Sequence, residues 1–309
     1  VLARGRISAG VQKRLGDIER VPNVFSDPNK FYECDVIIVV NTDSKEFTDI
    51  DYWKNNKIDI SKIKRMAFVF NFIVSPAQHL WMFEEAGVDI RLLPGNKRFY
   101  DELGSKDKYK KVSHLPKMVF ESPIDPNSVF DFKTDSHLIR IGKHSKGLGS
   151  KWNKDHAQLI ERINKKYPDK VIWDFMGGGK EFCESVKKFD NVILRPEFTI
   201  PVNVYLMNLD IYLFYLDWGR QECWARSQAE ALMSGCPSVA TDVDGGNRLQ
   251  VIHGSNGYLC KNLDEFEKRL SYLIENPDMI RKLGNNARIY SRFFTTEEII
   301  RKLMIFVRN

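Results

Sequence analysis

Glu222 and Glu230 are two carboxylates with seven residues between them, and the run continues from Glu230 as Ala-Leu-Met-Ser-Gly235. The residue types after Trp224 favour a helix that stops at Gly235, which places Glu230 on an otherwise apolar helix and Glu222 in the loop ahead of it. A carboxylate buried on such a helix costs several kcal/mol unless partners satisfy it. The pair therefore points to binding of hydroxyl groups; the alternative is a solvated helix face. A second cluster is cationic and rich in glycine: Ile141-Gly142-Lys143-His144-Ser-Lys146-Gly-Leu-Gly-Ser-Lys151-Trp152. It follows a strand end and offers fixed positive charge and N–H donors to an anion. Asp242-Val-Asp-Gly245-Gly246-Asn247 adds two glycines that would let backbone N–H groups approach a ligand, or would simply make a turn.

The rest of the chain reads as a scaffold for these groups. Cys34–Val40 and Met66–Phe70 are continuous apolar runs of the kind found in buried parallel strands. Ser75-Pro76 opens a helix over 77–86 that Gly87 ends, followed by a strand over 88–93 and a helix over 96–103. Further on, strands at 138–141, 171–175, 192–194, 211–214 and 237–241 alternate with helices at 153–166, 180–188, 201–208 and 263–275. Such alternation specifies doubly wound parallel sheets, whose ligands bind at the carboxyl ends of the strands. Ser122-Pro-Ile-Asp-Pro-Asn-Ser128 is dense in turn formers. The expected division is an N-terminal domain over 1–121, a linker over 122–136, a second domain over 137–292, and a C-terminal helix over 293–309 that packs back on the first domain. The first domain is short or truncated: only Val1-Leu-Ala-Arg4 precedes the turn at Ser8–Arg14.

A length of 309 residues suits two α/β domains, and 43% hydrophobic with 28% charged residues is the composition of a water-soluble globular chain. No apolar run approaches the ~18–20 residues of a membrane helix. The net charge of +6 is spread along the chain: residues 1–130 carry 20 basic and 18 acidic groups, the remainder 27 and 23. That even balance argues against a nucleic-acid groove. The five cysteines are scattered, with no CxxC spacing, which fits a reducing cytoplasm.

The stretch Glu222–Gly235 resembles the Glu-x7-Glu element of the retaining family-4 glycosyltransferases. The resemblance continues through Val251–Cys260, the helix over 263–275, the Asn276-Pro277 break and Leu283–Arg288, and covers about residues 138–300. It implies the GT-B fold, two Rossmann-like doubly wound domains facing a cleft. It assigns Glu230 to the ribose hydroxyls and Glu222 to the hexose of a nucleoside diphosphate sugar. Gly142, Lys143 and Lys151 resemble the family's phosphate element, with Lys143 where arginine is more usual; Lys146 is the alternative second cation, and His144 lies inside the same element. Arg226 is a phosphate contact or an exposed helix charge, and Gly245 and Gly246 approach the phosphate or sugar. Ala225 stands where the family often has glycine. The acceptor site is unassigned apart from His79. No cofactor or metal is implied, and Asp242-Val-Asp244 is read as a coincidental match to the metal pair of another fold.

The expected activity is transfer of a hexosyl group, with retention, to a glycan, lipid-linked or other hydroxyl acceptor in glycan or cell-envelope polysaccharide synthesis. The expected place is the cytoplasm, with peripheral contact at the inner membrane face left open. A sugar-nucleotide epimerase or hydrolase, a modified-base nucleic-acid glucosyltransferase and a non-catalytic sugar-nucleotide-binding subunit are the competing readings.

Overall fold

Two separate parallel sheets organise the chain. The computed structural model describes residues 2–4, 32–39, 48–70, 76–95, 97–120, 124, 138–218, 222, 224–243 and 246–308. The Ser8–Arg14 turn, Ser75, nearly all of the 122–136 linker and Gly245 lie outside the described residues. Contacts divide the chain into two units, Val1–Pro123 together with Thr296–Asn309, and Ile124–Thr295.

The first unit contains β1 (Leu2–Arg4), β2 (Ile37–Val39), α1 (Ile50–Asn55), β3 (Arg65–Phe70), α2 (Trp81–Glu85), β4 (Asp89–Pro94) and α3 (Lys97–Ser105). Its strands run parallel in the order β1-β2-β3-β4. The helix expected over 77–86 is instead a 3-10 turn, Pro76–His79, followed by the short α2. Ala77, Leu80 and Phe83 are all fully buried at a spacing of three, which stacks directly in a 3-10 turn and also lies on one face of an α-helix.

The second unit contains β5 (Ile139–His144), α4 (His156–Lys166), β6 (Val171–Met176), α5 (Lys180–Val186), β7 (Val192–Arg195), α6 (Val202–Met207), β8 (Ile211–Phe214), α7 (Arg226–Met233), β9 (Ser238–Thr241), α8 (Gly246–Gln250), β10 (Gly257–Cys260), α9 (Leu263–Glu275) and α10 (Pro277–Ser291). The six strands are parallel in the order β10-β9-β8-β5-β6-β7. The chain moves one way from β5 and then restarts on its other side at β8, so the strand order reverses between β5 and β8. Crevices for ligands open at such a reversal. One face of the sheet packs Ile141, Trp173 and Phe175 against Leu159, Ile160 and Phe266. The other packs Tyr212 and Ala240 against Tyr205, Leu206 and Ala231.

Local chemistry fixes several helix ends. Asn262 caps α9 by accepting from Glu265 N at 2.9 Å, and the Glu265 carboxylate accepts in return from Lys261 N at 2.9 Å. Pro277 starts α10, where its missing N–H has no cost. The last helix, α11 (Thr296–Arg308), returns to the first unit. Alternate residues of β3 divide between two clusters: Met66, Phe68 and Phe70 join the larger core, while Ala67 and Val69 pack with Leu93, Leu303 and Val307.

Candidate active site

The site lies wholly in the second unit, at the carboxyl ends of its strands. The loop 145–152 leaves β5, the segment 196–201 leaves β7, and the segment from 215 leaves β8 and leads to α7. A cavity of about 470 Å³ opens among them. Its lining combines the polar groups of His144, Lys146, Lys151, Glu222, Arg226 and Glu230 with the apolar side chains of Met176, Phe198, Val202 and Phe214.

Glu222 sits in the loop ahead of α7 and Glu230 in the second turn of that helix. The Glu230 side chain is 16% exposed; its Oε2 lies 3.1 Å from His144 Nε2 and its Oε1 accepts from Arg226 Nε at 3.0 Å. Burial pushes the Glu230 carboxyl up, but the hydrogen bond and charge of His144, with those of Arg226, hold it below the ordinary value. Glu222 Oε2 lies 3.5 Å from Lys151 Nζ. Each of the two acids thus has a basic partner in the cavity, Lys151 for Glu222 and His144 with Arg226 for Glu230.

His144 is fixed from three sides. Its ring lies edge-on to Tyr205 and Tyr212, its carbonyl accepts from Tyr212 Oη at 2.9 Å, and its Nδ1 is buried with no hydrogen-bond partner among the described residues. Burial raises both tyrosine hydroxyls above their ordinary value, so they remain neutral donors. Ala225 caps α7 at φ −85, a conformation in which alanine meets no strain.

Three expected ligand groups occupy other places. Lys143, expected at the phosphate, is fully buried; its Nζ donates to the carbonyls of Lys151 and Tyr215 and lies over the rings of Trp152 and Phe214. Gly142, expected at the donor, is a packing glycine inside β5: a Cβ there would stand 2.0 Å from Asp174 O. Gly246 gives its N–H to Glu222 O at 2.7 Å, which fixes the Glu222 loop and directs the amide away from a ligand. Gly245 and Asp244 are outside the described residues, while Asp242 accepts from Arg248 Nε at 2.6 Å. His79 belongs to the first unit, half-buried, with its Nε2 3.2 Å from Gln78 Nε2. Among the described residues no group of three or more His, Cys, Asp or Glu is arranged to hold a metal ion.

Phe198 is the part of the cavity that the sequence did not reveal. Its ring is 76% exposed and its backbone sits at φ +58, in the left-handed region that a bulky residue enters only at a cost. The neighbouring Glu197 holds the segment by accepting from Gly147 N at 2.6 Å. The 145–152 loop also contributes Gly147, Gly149 and Trp152 to a larger cavity of about 790 Å³, whose lining includes neither of the paired acids.

With this geometry in place, comparison with known proteins is informative. Residues 151–290 match the family model of the glycosyl transferases group 1. The match includes Lys151, Glu222 and Glu230 and starts after Gly142, Lys143 and His144. An uncharacterized glycosyltransferase of Haemophilus influenzae is 31% identical over 215 residues, 63% of this chain and 59% of that protein. The trehalose synthase of Thermococcus litoralis is 32% identical over 148 residues, 47% of this chain and 30% of that protein. The chain thus spans less than two thirds of the length of these curated relatives. Among solved structures, Anabaena HepE in complex with UDP and glucose aligns with TM-score 0.67 at 15% identity, over 99% of this chain and 84% of that one. Residues 151–290 are thus similar to the group 1 glycosyl transferases, and the chain has the α/β parallel-sheet fold seen in GT-B glycosyltransferases such as HepE. Among the described residues no helix is long and apolar enough to cross a membrane.

Proposed function

We propose that this chain is a retaining glycosyltransferase that moves a hexosyl group from a nucleoside diphosphate sugar to a hydroxyl acceptor, in glycan or cell-envelope polysaccharide synthesis. The observation that carries this reading is the gathering of Glu222, Glu230, Lys151 and Arg226 in the lining of a cavity at the strand ends. Each group suits one part of such a donor. Glu230 is ionised and takes the two ribose hydroxyls. Lys151 and Arg226 leave Glu222 and Glu230 for the diphosphate, which brings both negative charge and better hydrogen-bonding geometry. Glu222 is then released to accept from the hexose hydroxyls. The apolar side chains of Met176, Phe198 and Val202 take the base. UDP is the first base to try, because HepE holds it.

In the reaction the bond between the anomeric carbon and the β-phosphate oxygen breaks, and a bond from that carbon to the acceptor oxygen forms on the same face. The acceptor proton passes to the departing phosphate, and Lys151 stabilises the charge left there. No side chain acts as a nucleophile. No metal takes part in this reading, and the acceptor is a glycan or a lipid-linked or other hydroxyl compound.

The test is isothermal titration with UDP, GDP and ADP, followed by turnover of the matching nucleotide sugars in water and with an added hydroxyl acceptor. Binding of one nucleotide together with transfer of its sugar to an added hydroxyl acceptor supports the reading, whereas release to water alone would favour a hydrolase. Binding without turnover, with any acceptor mixture, would leave a non-catalytic sugar-nucleotide subunit, and no binding at all would remove the donor site.

A further inference from the structure

We propose that Lys143 is a positioning residue that holds Lys151 and its loop in register with the end of β8, and that it does not itself meet the diphosphate. The inference rests on the donor-site reading above. It begins with strand parity. Residues two apart on β5 face the same way, so Lys143 turns with Ile141, toward Trp152 and His156, while His144 turns the other way, toward Tyr205, Tyr212 and Glu230. The one-residue difference sends the Lys143 and His144 side chains off opposite faces of β5, so that His144 meets Glu230 while Lys143 reaches the backbone at the strand ends.

The surroundings of Lys143 are those of a finished binding site for its own ammonium. An ammonium removed from water needs acceptors, and Lys143 Nζ finds Lys151 O and, at 3.2 Å, Tyr215 O. The faces of Trp152 and Phe214, 4.9 and 5.2 Å from Nζ, add a cation–π contribution on either side. The two carbonyls belong to the segments that leave β5 and β8, the strands between which the sheet order reverses. A neutral bond joins the same segments, Asn153 Nδ2 donating to Leu216 O at 2.8 Å, and Trp152 Nε1 closes the β5 loop on itself by donating to Lys146 O at 2.9 Å. Lys143 is the charged brace of this set, and it grips the very residue whose side chain reaches Glu222. A shift of about 1 Å in such a group can reduce a rate by about 100-fold.

The first test needs no substitution. Lysine acetylation of the native chain is followed by mass spectrometry, free and with saturating UDP, GDP or ADP. The expected result is Lys143 unreactive in every state, and Lys151 reactive when free and protected by one nucleotide. Protection of a reactive Lys143 by nucleotide would overturn the proposal and leave the donor site standing. Failure of all three nucleotides to protect Lys151 would overturn the donor-site reading and this proposal with it.

Variants then separate brace from contact. Lys143→Met lowers kcat for the matching nucleotide sugar by about 10- to 100-fold, the scale of a misplaced group. In a Lys151→Ala background the same change costs nothing further. Lys143→Arg does no better than Lys143→Met, because the larger planar guanidinium does not fit between the two rings; at a phosphate, arginine would serve at least as well. An additive loss in the double variant, or recovery with arginine, would refute the positioning role.

Discussion

A carboxylate that is to grip two hydroxyls must be ionised and held still, and Glu230 is prepared for both by His144 and Arg226. Its folded-state value lies below the ordinary 4.5 despite burial. Ionisation therefore stabilises the fold above the ordinary value, and this contribution is lost as the pH falls through the lower, folded one. Glu230→Gln should weaken nucleotide binding at pH 7 by about 10- to 100-fold, the range of about 1.5–3 kcal/mol for a charged hydrogen bond; titration calorimetry showing unchanged affinity would remove the ribose role. Phe198→Ala should cost about 1–3 kcal/mol of base stacking. Its loss should appear with the full nucleotide and vanish with pyrophosphate, measured in the same calorimeter. The two acids were legible because a Glu on an apolar helix is a conspicuous cost. Phe198 was not, since nothing in Arg-Pro-Glu-Phe announces a left-handed backbone or an outward ring. Lys143 falls between these cases: its residue type invited a phosphate role, and the extension of β5 beyond the expected 138–141 to His144 is what turns it with Ile141 toward the core.

At the scale of elements, β5 and β6 are joined by more than their ladder. The Asp174 carboxylate on β6 is 2% exposed and accepts from Arg195 at 2.8 and 3.0 Å and from Arg140 at 2.9 Å. Asp174→Ala leaves two guanidinium groups without their shared partner and should destabilise the second unit by about 3–5 kcal/mol, seen as a lower melting temperature. Gly142→Ala is expected to yield no soluble folded protein, because its Cβ cannot stand 2.0 Å from a backbone oxygen; a soluble variant with native melting would show that the strands can part locally. Elements of this kind were largely readable. The strand at 211–214 and the helix at 263–275 fall where their apolar patterns put them. The 3-10 turn at 76–79 did not, because a spacing of three and a spacing of three to four differ too little over so short a run.

For the whole molecule, the group with the greatest leverage on pH behaviour is His156. It is fully buried, and burial first, the Lys143 ammonium second, push its imidazole down to about 3 against the hydrogen bond its Nδ1 donates to the Asn153 carbonyl, which acts the other way. The unfolded chain takes up a proton near the ordinary value of 6.5 and the folded chain does not. Stability is therefore complete above that value and falls as the pH drops toward 3, by up to about 1.4 kcal/mol per pH unit. The melting temperature of the second unit should fall between pH 7 and 4.5, and His156→Gln should flatten that slope; an unchanged slope would mean that the ring is already protonated in the fold. The division of the chain has a different consequence, one of timing. Residues 124–295 form a unit contiguous in sequence, whereas the first unit takes its last helix from residues 296–309. On the ribosome, Ala67, Val69 and Leu93 emerge before the second unit but wait for Leu303 and Val307, which emerge after it. At ~5–20 residues per second, the second unit can finish while the first still shows an uncovered apolar face. The unit that starts earlier in the sequence is thus the one completed later, and a chaperone that binds apolar surface should remain on the nascent chain until residues 296–308 have emerged.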